Sequence, residues 1–167
     1  MRWAIFILAL AFSACAKDQA KTPEFGPALE PSEVQSGYTF LTASTQALQD
    51  DAFANPGYLW VDQGKALFEH VIDQEAACST CHENKLVGAA TGFPKLDQKT
   101  GGLINLEQQI NLCRERHQSL PSLAYESEDL LSLTAYIANQ SKGMAISVEV
   151  DSDLQEHFEA GRRYFYT

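Results

Sequence analysis

Cys78-Ser79-Thr80-Cys81-His82 is the stretch that decides this sequence. Two thiols three residues apart, followed at once by a histidine, form the attachment signature of a c-type haem. In that pattern the thiols bond the edge of the porphyrin and the adjacent imidazole becomes the proximal iron ligand. Paired cysteines also occur as a redox-active Cys-x-x-Cys or as half of a zinc site. A zinc site would need a second Cys-x-x-Cys or a His-x-His pair, and the 167 residues contain neither.

The N-terminus indicates where such a group could be attached. Arg2 precedes an apolar run from Trp3 to Phe12, roughly ten residues and too short to span a bilayer as a helix, which reads as the core of an export signal. Ala14-Cys15-Ala16 offers a cleavage site after residue 16, giving a signal peptide over 1–16. Phe12-Ser13-Ala14-Cys15 loosely matches a lipoprotein box, which would end the signal at residue 14 and leave a lipid anchor on Cys15. Either route places the mature chain in the periplasm, with membrane contact only if Cys15 is lipidated. Cys78 and Cys81 are then committed to haem, and Cys113 is the cysteine left over.

Composition narrows the partners. Twelve basic against 22 acidic residues give a formal charge of −10, and 45% of the residues are hydrophobic. That acidity argues against nucleic acid and favours a basic protein partner reached by electrostatic steering. Residues 17–36 carry Pro23, Pro27 and Pro31 and read as a linker; residues 37–57 read as an ordered N-terminal extension with Tyr38, Phe40 and Phe53 as aromatic anchors. Asn55-Pro56-Gly57 supplies a turn.

The domain proper is expected over residues 58–150. Val61, Gly64, Leu67, Phe68 and Val71 share a helical face leading into the haem motif. A second helix is expected from Leu103 to about Gln118, with Leu103, Leu106, Ile110, Cys113 and His117 on one stripe, and Thr100-Gly101-Gly102 as its starting loop. A third is expected from Ser127, a candidate cap, to Gln140, with Gly143 just beyond. Ile146 to Val150 alternates weakly as a short strand. One helix before the motif and a long helix closing the domain resembles a class I cytochrome c, an all-α fold in which Gly64 would let the closing helix cross closely at Tyr136.

The motif specifies one axial face of the iron through His82. For the other face, Cys113 points with Leu106 and Ile110 into the apolar interior, and His117 is the alternative one turn further on. Met144 follows the last helix, and His70 precedes the motif; neither position suits the role. A thiolate at Cys113 would stabilise ferric iron and lower its potential. Arg114 and Arg116 flank Cys113 and could pair with haem propionates or with surface acids, the acids being the expected partners. Asp50-Asp51 and Glu128-Asp129 read as solvated faces and helix-start charges.

Several separated motifs together resemble the SoxA family. They are Ser36-Gly37-Tyr38-Thr39-Phe40, Gln49-Asp50-Asp51, Asn55-Pro56-Gly57, the haem motif, Leu106-Glu107-Gln108 to Ile110-Asn111-x-Cys113-Arg114, and Tyr125-Glu126-Ser127 with Leu130 to Tyr136. SoxA is the cytochrome c subunit of periplasmic L-cysteine S-thiosulfotransferase in sulfur oxidation. The resemblance implies a SoxX-like cytochrome partner and a SoxYZ-like carrier protein, to whose cysteine thiosulfate is oxidatively joined. It also implies His82 and Cys113 as the axial pair of one haem c. SoxA proteins carry a second haem domain with the catalytic cysteine, and nothing in these residues corresponds to either.

Phe158-x-x-Gly161-x-x-Tyr164-Phe165 repeats the pattern Val61-x-x-Gly64-x-x-Leu67-Phe68. At the spacing of the first copy, a second haem motif would begin beyond Thr167, so residues 151–167 are expected to open a truncated second cytochrome c-like domain. Two functions follow: the electron-relay half of a SoxA enzyme with its catalytic residues elsewhere, or a stand-alone monohaem electron-transfer protein.

Overall fold

The computed structural model describes residues 35–71, 77–83 and 86–166. The expected export segment, Cys15 and most of the linker lie outside the described residues. The fold is all-α, with helices α1 (Ala43–Asp50), α2 (Gly57–Glu69), α3 (Cys78–His82), α4 (Leu106–His117), α5 (Glu128–Asn139) and α6 (Ser152–Phe165). A two-residue antiparallel pair, β1 (Lys95–Leu96) and β2 (Leu103–Ile104), precedes α4. No helix among the described residues is long and apolar enough to cross a membrane.

α2 packs chiefly on α5. The crossing is so close that a Cβ built on Gly64 would lie 1.9 Å from the Ser132 carbonyl oxygen and 2.8 Å from Cβ of Tyr136. Only a residue without a side chain fits there, as the sequence led one to expect for Tyr136; Ser132 is the nearer contact. One turn on, Phe68 is 1% exposed and joins Ile110, Leu130, Leu133 and Ile137 in the core. Burying a ring of that size is worth about 1.5–3 kcal/mol.

Helix starts follow the local chemistry. The Asn55 side chain accepts from the Gly57 amide at 2.9 Å ahead of α2. Ser127 caps α5 by accepting from the Leu130 amide. α4 starts at Leu106, later than periodicity suggested, because Leu103 and Ile104 are drawn into the strand pair. Thr100-Gly101-Gly102 belongs to the turn of that hairpin, and the cap of α4 is Asn105. Its side chain accepts from the Gln108 amide while the Gln108 side chain accepts from the Asn105 amide, both at 2.8 Å. This reciprocal box satisfies two amides that a helix start otherwise leaves unpaired. Beyond α4, the Asn111 side-chain amide donates to the Leu123 carbonyl at 3.0 Å and accepts from the Leu123 amide at 2.9 Å.

Three expectations need correction. Ile146 to Val150 forms no strand; Ser147 instead donates its amide to the Thr91 carbonyl at 2.9 Å. In the N-terminal extension Phe40 and Phe53 are exposed, so they are not anchors. The extension is held by polar groups: the Tyr38 hydroxyl donates to Asp50, and the Lys142 ammonium meets Asp50 at 3.0 Å. Asp50 is therefore more than a solvated acid.

Gly64→Ala is expected to lower unfolding free energy by at least about 1–3 kcal/mol through overpacking. Phe68→Ala is expected to cost about 3–5 kcal/mol, while exposed Leu59→Ala should stay within about 0.5 kcal/mol. Urea denaturation of the three variants checks the order, and a neutral Gly64→Ala would contradict the close crossing.

Candidate functional site

The haem motif forms a single helical turn. On one turn, positions i, i+3 and i+4 share a face, so α3 aims Cys78, Cys81 and His82 into the same space. Ala77 caps the turn, accepting from the Thr80 amide at 3.0 Å, and Glu83 closes it in the left-handed region at φ 42°. The space is a cavity of about 560 Å³ whose wall includes all three motif residues. Phe68 stands beside the motif, its ring centroid 6.3 Å from that of His82.

α4 supplies another wall. Leu106, Ile110, Cys113 and His117 line the cavity, as the stripe along this helix led one to expect; Leu103 does not, and Gln109 joins them. Cys113 is half-buried, and its sulfur accepts from the Gln109 side-chain amide at 3.3 Å. His117 lies in the last turn and is exposed. Neither His70 nor Met144 lines this cavity. His70 borders a separate pocket of about 70 Å³, and Met144 rests near Gly88.

Leu86, Ala89, Phe93, Leu133 and Ile137 complete a mostly apolar lining. The volume is that of an ordinary cofactor site. Cys78, Cys81 and Cys113 are all free thiols. Burial pushes the Cys78 thiol above its ordinary pKa, against weaker opposing effects of Gln118 and Arg114. A large apolar group with one metal centre fits this donor set: two thiols and an imidazole from α3, and a thiol or second imidazole from α4.

A family model described as SoxA/TsdA, cytochrome c domain, matches residues 63–146. The chain belongs to the SoxA/TsdA cytochrome c family. It is 35% identical over 139 residues to the L-cysteine S-thiosulfotransferase subunit SoxA of Rhodovulum sulfidophilum, covering 81% of this chain and 48% of that one. The corresponding subunit of Pseudaminobacter salicylatoxidans is 34% identical, with 79% and 48% covered. The crystal structure of SoxXA from P. pantotrophus matches with a TM-score of 0.71 at 28% identity, over 80% of this chain and 52% of that one. The chain thus spans about half the length of the curated relatives it matches. A cytochrome c domain implies haem c, and the cavity suits it.

Three contacts of this SoxA/TsdA domain escaped the sequence reading. Lys95 in β1 adds a positive charge to the cavity wall and sits 4.7 Å from the Phe93 ring centroid. Gln109 reaches Cys113, as described. Asp97 bonds Arg116 through both carboxylate oxygens, at 2.7 and 2.8 Å. The pairing of arginine with an acid was expected, but Asp97 is buried rather than on the surface. It also accepts from the Thr100 hydroxyl at 2.8 Å. Arg114 turns elsewhere, donating to the Pro121 carbonyl at 3.1 Å.

Arg116 first, and Thr100 second, hold the Asp97 carboxyl well below the usual carboxylate range. A depressed folded-state pKa means stability that is present above the unfolded value, about 3.9, and lost as pH falls below it. Asp97→Asn is expected to lower Tm at neutral pH. The gap from the parent should hold down to about pH 5 and shrink at lower pH, as Asp97 takes up its proton in the unfolded chain while the folded carboxyl stays ionised. Thermal scans across that range check it; a gap independent of pH would rule out the ionised pair as its source.

Proposed function

We propose that this chain is the haem-bearing N-terminal half of a SoxA-type subunit, binding one haem c in this domain. Cys78 and Cys81 would hold it by thioether bonds, His82 would be the proximal ligand and Cys113 the distal one. The observation that carries the reading is the convergence of the Cys78–His82 turn and Cys113 on one apolar cavity. Cys113 is favoured over His117 because it is half-buried and its sulfur is held by Gln109, whereas His117 is exposed. When bound, haem c supplies a one-electron relay. The protein's own part is to orient imidazole and sulfur, and to keep water from the apolar wall.

The wider role we propose rests on the resemblance to SoxA. The chain would act in the periplasm beside a SoxX-like cytochrome, serving the oxidative conjugation of thiosulfate to a cysteine of a SoxYZ-like carrier, with the catalytic cysteine outside these residues. α6 would open a second cytochrome c domain, standing there as α2 stands here. Two contrasts support that: a Cβ on Gly161 would meet nothing within 4 Å, whereas Gly64 is hemmed in. Phe165 is 81% exposed, whereas its counterpart Phe68 is 1% exposed.

Replacing Cys78 and Cys81 together with alanine should abolish covalent haem, read by mass and by haem retention through denaturation; retained haem would sink the proposal. Cys113→Met should raise the haem potential and replace the low-spin ferric spectrum of a thiolate ligand. An unchanged spectrum would transfer the distal role to His117.

A further inference from the structure

Gln109 and Cys113 lie one turn apart on the same face of α4, and both line the cavity. The Gln109 amide nitrogen donates to the Cys113 sulfur at 3.3 Å. Both side chains are partly buried, so water competes weakly for either partner and the bond is strengthened by low local polarity. Gln118 approaches the Cys78 sulfur in a similar way, but at the longer distance of 3.8 Å. The capping box at Asn105 and Gln108 fixes the turn from which Gln109 projects.

A hydrogen bond onto a ligating sulfur draws electron density away from the metal, and such bonds are among the levers by which a protein sets a haem potential. Gln109 does this as a neutral donor, without placing a charge in the cavity. We propose that Gln109 is the positioning residue of Cys113: its amide orients the sulfur and raises the potential of the iron above the value that a bare thiolate would impose. This rests on the reading of Cys113 as distal ligand.

The test uses the haem-loaded full chain with Gln109→Met, which keeps length and helix propensity but removes the donor, and Gln109→Leu as a second variant. Redox titration should show a lower potential in both. At a fixed applied potential the ferric-to-ferrous ratio should rise several-fold, where tenfold corresponds to about 59 mV for a one-electron couple. The g values of the ferric electron paramagnetic resonance spectrum should shift as well. If the parent shows a thiolate-ligated ferric spectrum and the variants match its potential and g values, the role of Gln109 is overturned and the ligand assignment stands. A parent spectrum without thiolate ligation overturns both. Failure of both variants to take up haem would also overturn the tuning role, leaving Gln109 as a piece of cavity wall.

Discussion

Everything in this domain hangs on the contact between Gly64 and the backbone of α5 at Ser132. Helices normally keep 8–10 Å between axes because side chains hold them apart, and the missing Cβ removes that spacer. Phe68, one turn along α2, then fits between Tyr136 on one side, with ring centroids 5.3 Å apart, and His82 on the other. The same ring therefore seals the helix crossing and backs the haem motif. Any slackening between α2 and α5 would be felt first at the imidazole.

The opposite requirement governs α4. That helix is polar over most of its surface; Leu106 and Ile110 seat it on the core, and hydrogen bonds hold its two ends. Asn105 and Gln108 settle where it starts, and Asp97 pins Arg116 near its end. Between those two points lie Gln109 and Cys113. The acidic partner occupies the Arg116 guanidinium, and the group that reaches the Cys113 sulfur is the uncharged Gln109 amide.

Much of this was legible in the sequence, and for physical reasons. Cys78, Cys81 and His82 are read from local spacing because one helical turn carries all three. Gly64, Leu106, Ile110 and Cys113 were readable because they lie within long helices, whose 3.6-residue period is written in the sequence. What escaped was non-local or too short to have a period. Two-residue strands carry no alternation, so β1 and β2 were missed and the start of α4 was set too early. Asp97 in the hairpin and Arg116 in α4 are brought together by folding alone, and neither neighbourhood advertises the other. Phe40 and Phe53 misled because an aromatic residue has no local mark of whether a surface awaits it.

Asn111 ties the chain beyond α4 back to that helix. Its side-chain amide makes both hydrogen bonds that a neighbouring strand would make with Leu123, so the connection from α4 toward α5 is pinned to the helix that bears Cys113. A loop fastened through its own backbone cannot drift independently of that helix. Amide hydrogens in this connection should therefore exchange with solvent on the schedule of α4, making loop and helix a single opening unit, while the exposed N-terminal extension opens on its own.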